Sequence, residues 1–133
     1  MEFKSQKNEY KLSVNDKDVY VYINTNDLEV INRFLTAEQK ISKILEISSL
    51  DEQIEEFKNT INILFGYNVY DVIFSEIQPF EVLETGQFYI NAVFDYLFPL
   101  IFNDMQRDFE KIQQHSKSQK TKLNNKHTKK YVR

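Results

Sequence analysis

The chain has 133 residues, of which 41% are hydrophobic and 14% aromatic, enough for one domain with a core. It contains no cysteine, two glycines and two prolines, which excludes disulfides, thiolate metal sites, glycine-rich phosphate loops and the many tight turns of an all-β fold. The net charge of -3 is uneven. Residues 1–114 carry ten basic and all twenty acidic residues, whereas residues 115–133 carry seven basic residues and no acid. A folded acidic domain with a basic extension is therefore predicted.

The first predicted element is a β-hairpin. Residues 10–14 and 19–23 alternate β-branched or aromatic residues with polar ones, and the turn-forming residues 15–18 separate them. Residues 1–9 are predicted to be a flexible N-terminus. They contain no apolar stretch of the kind a secretory signal needs, so we expect a cytoplasmic protein.

Four helices are predicted after the hairpin. The first begins near Asp27 and ends near residue 46, and the second is opened by a Ser49/Glu52 capping box and closed by Gly66. A short third helix follows Asn68 and stops at Gln78, because the residue before a proline avoids helical geometry.

The fourth helix is predicted from about residue 87 to residue 115, with a kink or break at Pro99. The fold class is thus mainly α (α+β): an N-terminal hairpin packed on a bundle of about four helices. One domain covers residues 10–115, and a disordered basic tail covers residues 116–133. The longest apolar run, residues 88–102, is interrupted by polar residues and is too short to span a membrane.

Candidate catalytic and metal-binding residues are few. His115 and His127 lie at or in the predicted tail, where catalytic geometry is hard to maintain. The acidic groups at residues 52–56 and 104–110 are interspersed with basic residues at salt-bridge spacing, which is typical of a solvated helix surface. We therefore predict no catalytic, cofactor-binding or metal site, and a protein that is not an enzyme.

The basic tail has two interpretations. As a nucleic-acid arm it would bind phosphates without reading bases. Against this, its single aromatic residue, Tyr131, provides no stacking platform, and the acidic body would repel the same polyanion. The tail is alternatively a solubilising one, or one that docks on an acidic protein surface such as that of another copy. The residues concerned are Lys117, Lys120, Lys122, Lys126, Lys129, Lys130 and Arg133.

The apolar segment at residues 88–102 is unusual because its apolar residues surround a helix instead of forming one stripe. Such a helix requires burial on several sides. It is either a central helix covered within one monomer or part of an interface with a partner or a second subunit. The candidate contact residues are Phe88, Tyr89, Phe94, Phe98 and Phe102.

Short phrases along residues 10–112 resemble a known family. They are INTNDL at residues 23–28, INRF at 31–34, LFG at 64–66 and IF at 73–74. In phrase and layout the chain is similar to the small tail assembly chaperones of long-tailed bacteriophages, in particular those of Gram-positive hosts. It departs from them at Ser75, where the family often has glycine, and in its long basic tail.

This resemblance implies a non-enzymatic protein in the host cell cytoplasm. Its partners would be the hydrophobic tape measure protein, which it coats, and the tail tube subunits whose polymerisation it assists. The alternative is a small nucleic-acid-associated regulatory protein that works through the basic tail. A toxin-neutralising role is a third possibility, which no residue favours.

Overall fold

The computed structural model describes residues 1–44 and 46–123, with side chains as far as His115. Within these ranges the chain forms an antiparallel two-stranded hairpin followed by four helices, which confirms the predicted fold class. The elements are β1 (Asn8–Val14), β2 (Lys17–Ile23), α1 (Leu28–Ile44), α2 (Leu50–Phe65), α3 (Val69–Ile73) and α4 (Tyr89–Leu123).

The hairpin turn is tighter than predicted. Only Asn15 and Asp16 form the loop, with φ of 49° and 65°, and Val14 pairs with Lys17. Positive φ at both positions is the pattern of a type I′ turn, which suits the twist of a two-residue hairpin and which Asn and Asp tolerate. The first strand also begins earlier than expected, at Asn8, so that residue belongs to the folded domain and not to a flexible N-terminus.

Each edge of the hairpin receives one tyrosine hydroxyl, from Tyr67 between α2 and α3 and from Tyr96 on α4. Lys11 and Tyr22 lie in non-hydrogen-bonded pairs, counted from the Val14–Lys17 pair, so their backbone groups point away from the partner strand. The Tyr22 N–H donates to the Tyr67 hydroxyl at 3.1 Å, and the Tyr96 hydroxyl donates to the Lys11 carbonyl at 3.2 Å. Each contact occupies a group that an added strand would otherwise pair with.

The helix α2 has the predicted ends, whereas α3 is shorter than predicted. The Ser49 hydroxyl accepts from the Glu52 N–H at 3.4 Å, and Gly66 takes the left-handed conformation with φ of 82°. The helix α3 ends at Ile73 and not at Gln78. In a longer helix the Ile73 carbonyl would bond to a later turn, but here it accepts from the buried Tyr89 hydroxyl at 2.7 Å.

The last helix is one continuous element. It passes through Pro99, so the predicted break at that position is absent. It also continues to Leu123, beyond the predicted end at residue 115. The tail predicted to be disordered over 116–133 lies, for residues 124–133, outside the described part of the chain. Before the helix, the Val82–Phe88 bridge and the positive φ of 91° at Gly86 form a small turn that the sequence patterns did not reveal.

A buried polar network fastens the hairpin to α4. The Thr25 hydroxyl donates to the Asp108 carboxylate at 2.5 Å and lies 3.0 Å from the Asn8 amide oxygen. On β1, the Tyr10 hydroxyl donates to the Asp104 carboxylate at 2.6 Å. Burial, together with this hydrogen bond, raises the pKa of Tyr10 well above its usual range.

Arginine completes this network. The Arg107 guanidinium lies 3.1 Å from the Asp104 carboxylate and 3.6 Å from that of Asp108. Asp108 is only 6% exposed, so the Thr25 hydroxyl and the Arg107 guanidinium must compensate its carboxylate for the loss of hydration. The solvated surface predicted for residues 104–110 is therefore wrong at Asp108. Its charge is buried, since the strand β1 and the β2–α1 junction pack over that turn of α4.

Replacing Thr25 with valine tests this network. The substitution keeps the shape but removes the hydroxyl donor, so a buried carboxylate oxygen of Asp108 loses its partner. We expect the free energy of unfolding, measured by urea denaturation, to fall by about 1–3 kcal/mol. The matched control is Thr36→Val on the exposed surface of α1, where a change within about 0.5 kcal/mol is expected. Equal losses for the two variants would contradict a structural role for the network.

The buried tyrosine that ends α3 predicts an alkaline limit of stability. Burial raises the pKa of Tyr89 from 10.0 to about 12, so the folded state favours the neutral phenol. Its contribution is fully present below pH 10 and is lost as the pH rises through about 12. The gap between the two pKa values corresponds to about 3 kcal/mol.

Stability should therefore be measured by urea denaturation between pH 8 and pH 12, alongside phenolate absorbance. This range extends from below the ordinary tyrosine pKa of 10.0 to the raised pKa of Tyr89 at about 12. Tyr89→Phe should lower stability at the neutral end, because the bond to the Ile73 carbonyl is lost, and should reduce the decline at the alkaline end. An unchanged alkaline decline in this variant would show that Tyr89 does not cause it.

Candidate protein-binding surface

The aromatic residues of α4 divide into a buried set and an exposed set. On the inner side, the Phe94 ring lies 4.8 Å from that of Phe98 and 5.2 Å from that of Phe57 on α2. The Phe98 ring is 5.3 Å from that of Phe34 on α1. These tilted and edge-on ring contacts join three helices, α1, α2 and α4.

The five predicted contact residues do not form one surface. Tyr89 is 5% exposed and bonds to Ile73, so it is a core residue that no partner can reach in the folded domain. Phe94 and Phe98 are partly buried against the core. Phe88 is exposed but lies before α4, where its ring contacts Phe80 at 5.6 Å. Phe102 is 40% exposed and lies on α4 itself.

A first candidate surface combines α1 with α4, and we call it the α1–α4 face. On α4, Phe98, Phe102 and Phe109 share one side of the helix at spacings of four and seven. The Phe34 ring of α1 lies 6.3 Å from that of Phe102, which brings the two helices side by side. The face consists of Leu28, Ile31, Leu35, Phe98, Phe102 and Phe109, of which all but Ile31 and Phe98 are exposed.

The α1 part of this face is turned away from α2. Ala37 lines a groove with Thr60 and Leu64 of α2, so that flank of α1 is covered. Leu35 lies about 160° around the helix axis from Ala37 and is 49% exposed. Leu28 and Ile31 share its flank at spacings of seven and four. The apolar stripe on α1 is therefore wider than the part that packs in the core, and the residues at its outer edge are exposed to solvent.

A second apolar feature, the apolar cleft, opens at the other end of the bundle. Its volume is about 110 Å³. It lies where the C-terminal end of α1 meets the beginnings of α2 and α4. Its lining residues are mostly aliphatic or aromatic, with two amides: Ile41, Ile44, Gln53, Ile54, Phe57, Pro79, Phe80, Ile90, Asn91 and Phe94.

The basic residues predicted to contact a polyanion or an acidic surface have side chains outside the described part of the chain. Lys117, Lys120 and Lys122 belong to the backbone range of α4, but their side chains lie outside the described part, as do Lys126, Lys129, Lys130 and Arg133. Among the residues that the structure does describe, no three acidic or histidine side chains are grouped so as to hold a metal ion.

Comparison with known proteins adds no relative. Scans against protein-family models, curated proteins and solved structures found no match to this chain. Across residues 1–44 and 46–123, every helix is too short or too polar to span a lipid bilayer.

Alanine substitutions test the division between core and surface rings. Phe57 is buried and contacts the rings of Tyr70, Phe74 and Phe94, so Phe57→Ala should lower the free energy of unfolding by about 3–5 kcal/mol. Phe102→Ala removes a ring that is 40% exposed and should cost less, about 1 kcal/mol. Urea denaturation measures both values. A comparable loss in the two variants would place Phe102 in the core and remove it from the α1–α4 face.

Proposed function

We propose that this protein is a non-enzymatic chaperone that binds an apolar helical segment of a client, and that the client is the tape measure protein of a long-tailed bacteriophage. The observation that carries the proposal is the α1–α4 face, an apolar surface on a domain whose net charge over residues 1–114 is -10. The phrase-level resemblance to phage tail assembly chaperones supplies the client. Assistance to tail tube polymerisation is part of the same proposal.

The geometry of the α1–α4 face suits a helix. Two neighbouring helices leave a groove between their side-chain ridges, and a third helix packs into such a groove through residues at spacings of three, four and seven. Here Leu35 and Phe102 are the outermost apolar side chains beside the Phe34 contact. Contiguous exposed apolar side chains on a domain are a common mark of sites of protein interaction.

The face is also supported from beneath. The ring of Phe98, which belongs to the face, packs at a tilt against the rings of Phe34 and Phe94, and Met105, two turns further along α4, is buried. The Asp108 and Asp104 contacts hold the following turns of α4 against the hairpin. A client would therefore meet a surface that is already arranged, which lowers the entropic cost of binding.

The alternative is a nucleic-acid-associated regulator, favoured by the seven basic residues after Ser116. Binding of this kind would follow phosphate charge and would weaken steeply with salt. The acidic body opposes it, because a polyanion bound to the tail would be repelled by the domain to which the tail is attached. We therefore rank the chaperone proposal first.

Two charge substitutions test the chaperone proposal. Leu35→Asp and Phe102→Asp place a carboxylate on the α1–α4 face, one on each helix, where a bound apolar helix would desolvate it. Each should weaken binding to the tape measure protein encoded in the same genome at least tenfold, measured by calorimetry or by light scattering of the complex. Circular dichroism should show unchanged helix content, because neither side chain is buried.

The matched control is Ile63→Asp, which alters an exposed apolar residue on α2, beside the groove on the opposite flank of α1. Its binding should equal that of the unmodified chain. A chain ending at Ser116 should also retain client binding, whereas the regulator alternative predicts that this truncation abolishes polyanion affinity. Absence of any complex with the full chain would sink the chaperone proposal, and equal loss in all three aspartate variants would remove the α1–α4 face as its site.

A further inference from the structure

We propose that the apolar cleft binds the basic C-terminal segment of a second copy of this chain, with the Tyr131 ring as the group that enters it. This inference goes beyond the proposed function, because it concerns self-association and uses a different surface. It is carried by three observations: the size and lining of the cleft, the charge of its rim, and the reach of the chain beyond α4.

The cleft has the size and chemistry for one aromatic side chain. An apolar cavity of about 150 Å³ lined by Leu, Ile and Phe accepts benzene, and the open cleft of about 110 Å³ takes most of such a ring. Its floor includes the buried residues Phe57, Pro79 and Ile90. Gln53 already donates to the Ile47 carbonyl at 2.5 Å, which leaves its amide oxygen as an acceptor for a phenol hydroxyl.

The rim of the cleft is acidic. Asp51 lies one helical turn before Ile54 on α2, Asp95 lies one turn after Asn91 on α4, and Glu81 follows Phe80 directly. All three are exposed. Bases also adjoin the cleft: Lys43 precedes Ile44 directly on α1, whereas Lys40 lines the groove between α1 and α2 and the Lys58 ammonium lies 5.6 Å from the centre of the Tyr70 ring. Among the described residues beside the cleft, Lys43 is thus the one base that makes neither kind of contact, against three acids. A ligand for this site therefore carries positive charge around an apolar anchor.

The end of the chain has this composition. Tyr131 is the only phenylalanine, tyrosine or tryptophan after Phe109, and Val132 follows it. Lys129, Lys130 and Arg133 flank the pair, so three basic residues accompany one ring and match the three acids of the rim in number. Opposite charges of this kind orient a docking segment and speed its association.

The reach of the chain assigns this segment to a second copy. From Phe94, at the cleft, to Leu123 the helix rises about 44 Å, at 1.5 Å for each residue. Tyr131 is eight residues beyond Leu123, and eight extended residues span at most about 29 Å. The ring therefore falls short of the cleft on its own molecule. The same contact between two molecules has no such limit, and a heterologous contact of this type builds a reciprocal dimer, a ring or an open chain.

The test is light scattering of the full chain over a range of protein and salt concentrations. At low salt and high protein concentration we expect a mass above the 16.0 kDa of one chain, falling toward that value as salt screens the rim charges. Tyr131→Ala should raise the apparent dissociation constant at least tenfold, while Tyr131→Phe, which keeps the ring, should leave it within about threefold. Neither substitution changes a residue within 1–123, so the helix content of both chains should equal that of the unmodified chain.

A charge test isolates the rim. Replacing Asp51, Glu81 and Asp95 with lysine together should abolish self-association. The control replaces Asp18, Glu29 and Glu110 with lysine, which changes the net charge equally at exposed positions that do not flank the cleft. This control should still associate. A loss in both triple variants would assign the effect to net charge and overturn the proposal.

Two other results would overturn it. One is a single mass of 16.0 kDa at every concentration, including the case in which a crosslink places Tyr131 in the cleft of its own molecule. The other is an oligomer that persists in Tyr131→Ala. Client binding is a separate readout: the proposed function predicts that Tyr131→Ala retains it, so either proposal can fail while the other stands.

Discussion

The hydrogen bond between Thr25 and Asp108 is the contact on which the arrangement of this domain depends. A two-stranded hairpin is marginal in water unless it packs against another element, and here it packs against α4 through a buried carboxylate. The bond spans 83 positions in the sequence, so it joins the start of the helical bundle to its last helix. A buried carboxylate without a partner would be costly. The hairpin and α4 are therefore most stable in the alignment that brings the Thr25 hydroxyl to the Asp108 carboxylate.

The position of α4 then determines which aromatic residues are available to a partner. With Asp108 held against the hairpin, Met105, Ile101 and Leu97 on the same side of the helix turn into the core, and all three are buried. Phe102 and Phe109 then lie toward the edge that α1 borders and remain exposed. A helix that is apolar all round is thus divided by one polar anchor into a core side and an open side. This division is the physical basis of the α1–α4 face.

Much of the fold follows from local sequence patterns, and the parts that do not follow depend on distant contacts. The hairpin, the capping of α2 by Ser49 and Gly66, and the order of the helices rest on signals within a few residues of each other. The early end of α3 depends on Tyr89, sixteen positions away, and the burial of Asp108 depends on Thr25. The local sequence around Ile73 does not include Tyr89, and that around Asp108 does not include Thr25. Local patterns therefore predict too long an α3 and a solvent-exposed Asp108.

The candidate surfaces were predictable to a similar degree. Phe102 has the apolar spacing that marks a helix face, but Tyr89 has it too, and only the tertiary contact to Ile73 separates a core ring from an exposed one. The apolar cleft combines residues from three helices and a loop, and no sequence window contains them together. The sequence shows that the body is acidic, but it does not show that Asp51, Glu81 and Asp95 surround one cleft, since they are far apart in sequence.

The two open apolar features lie at different parts of α4. This separation would allow one surface to hold a client while the other holds a second copy. If the proposed function holds, both abilities serve it, because neighbouring copies along a long client would contact it and each other simultaneously. Binding through one surface then raises the effective concentration for the other.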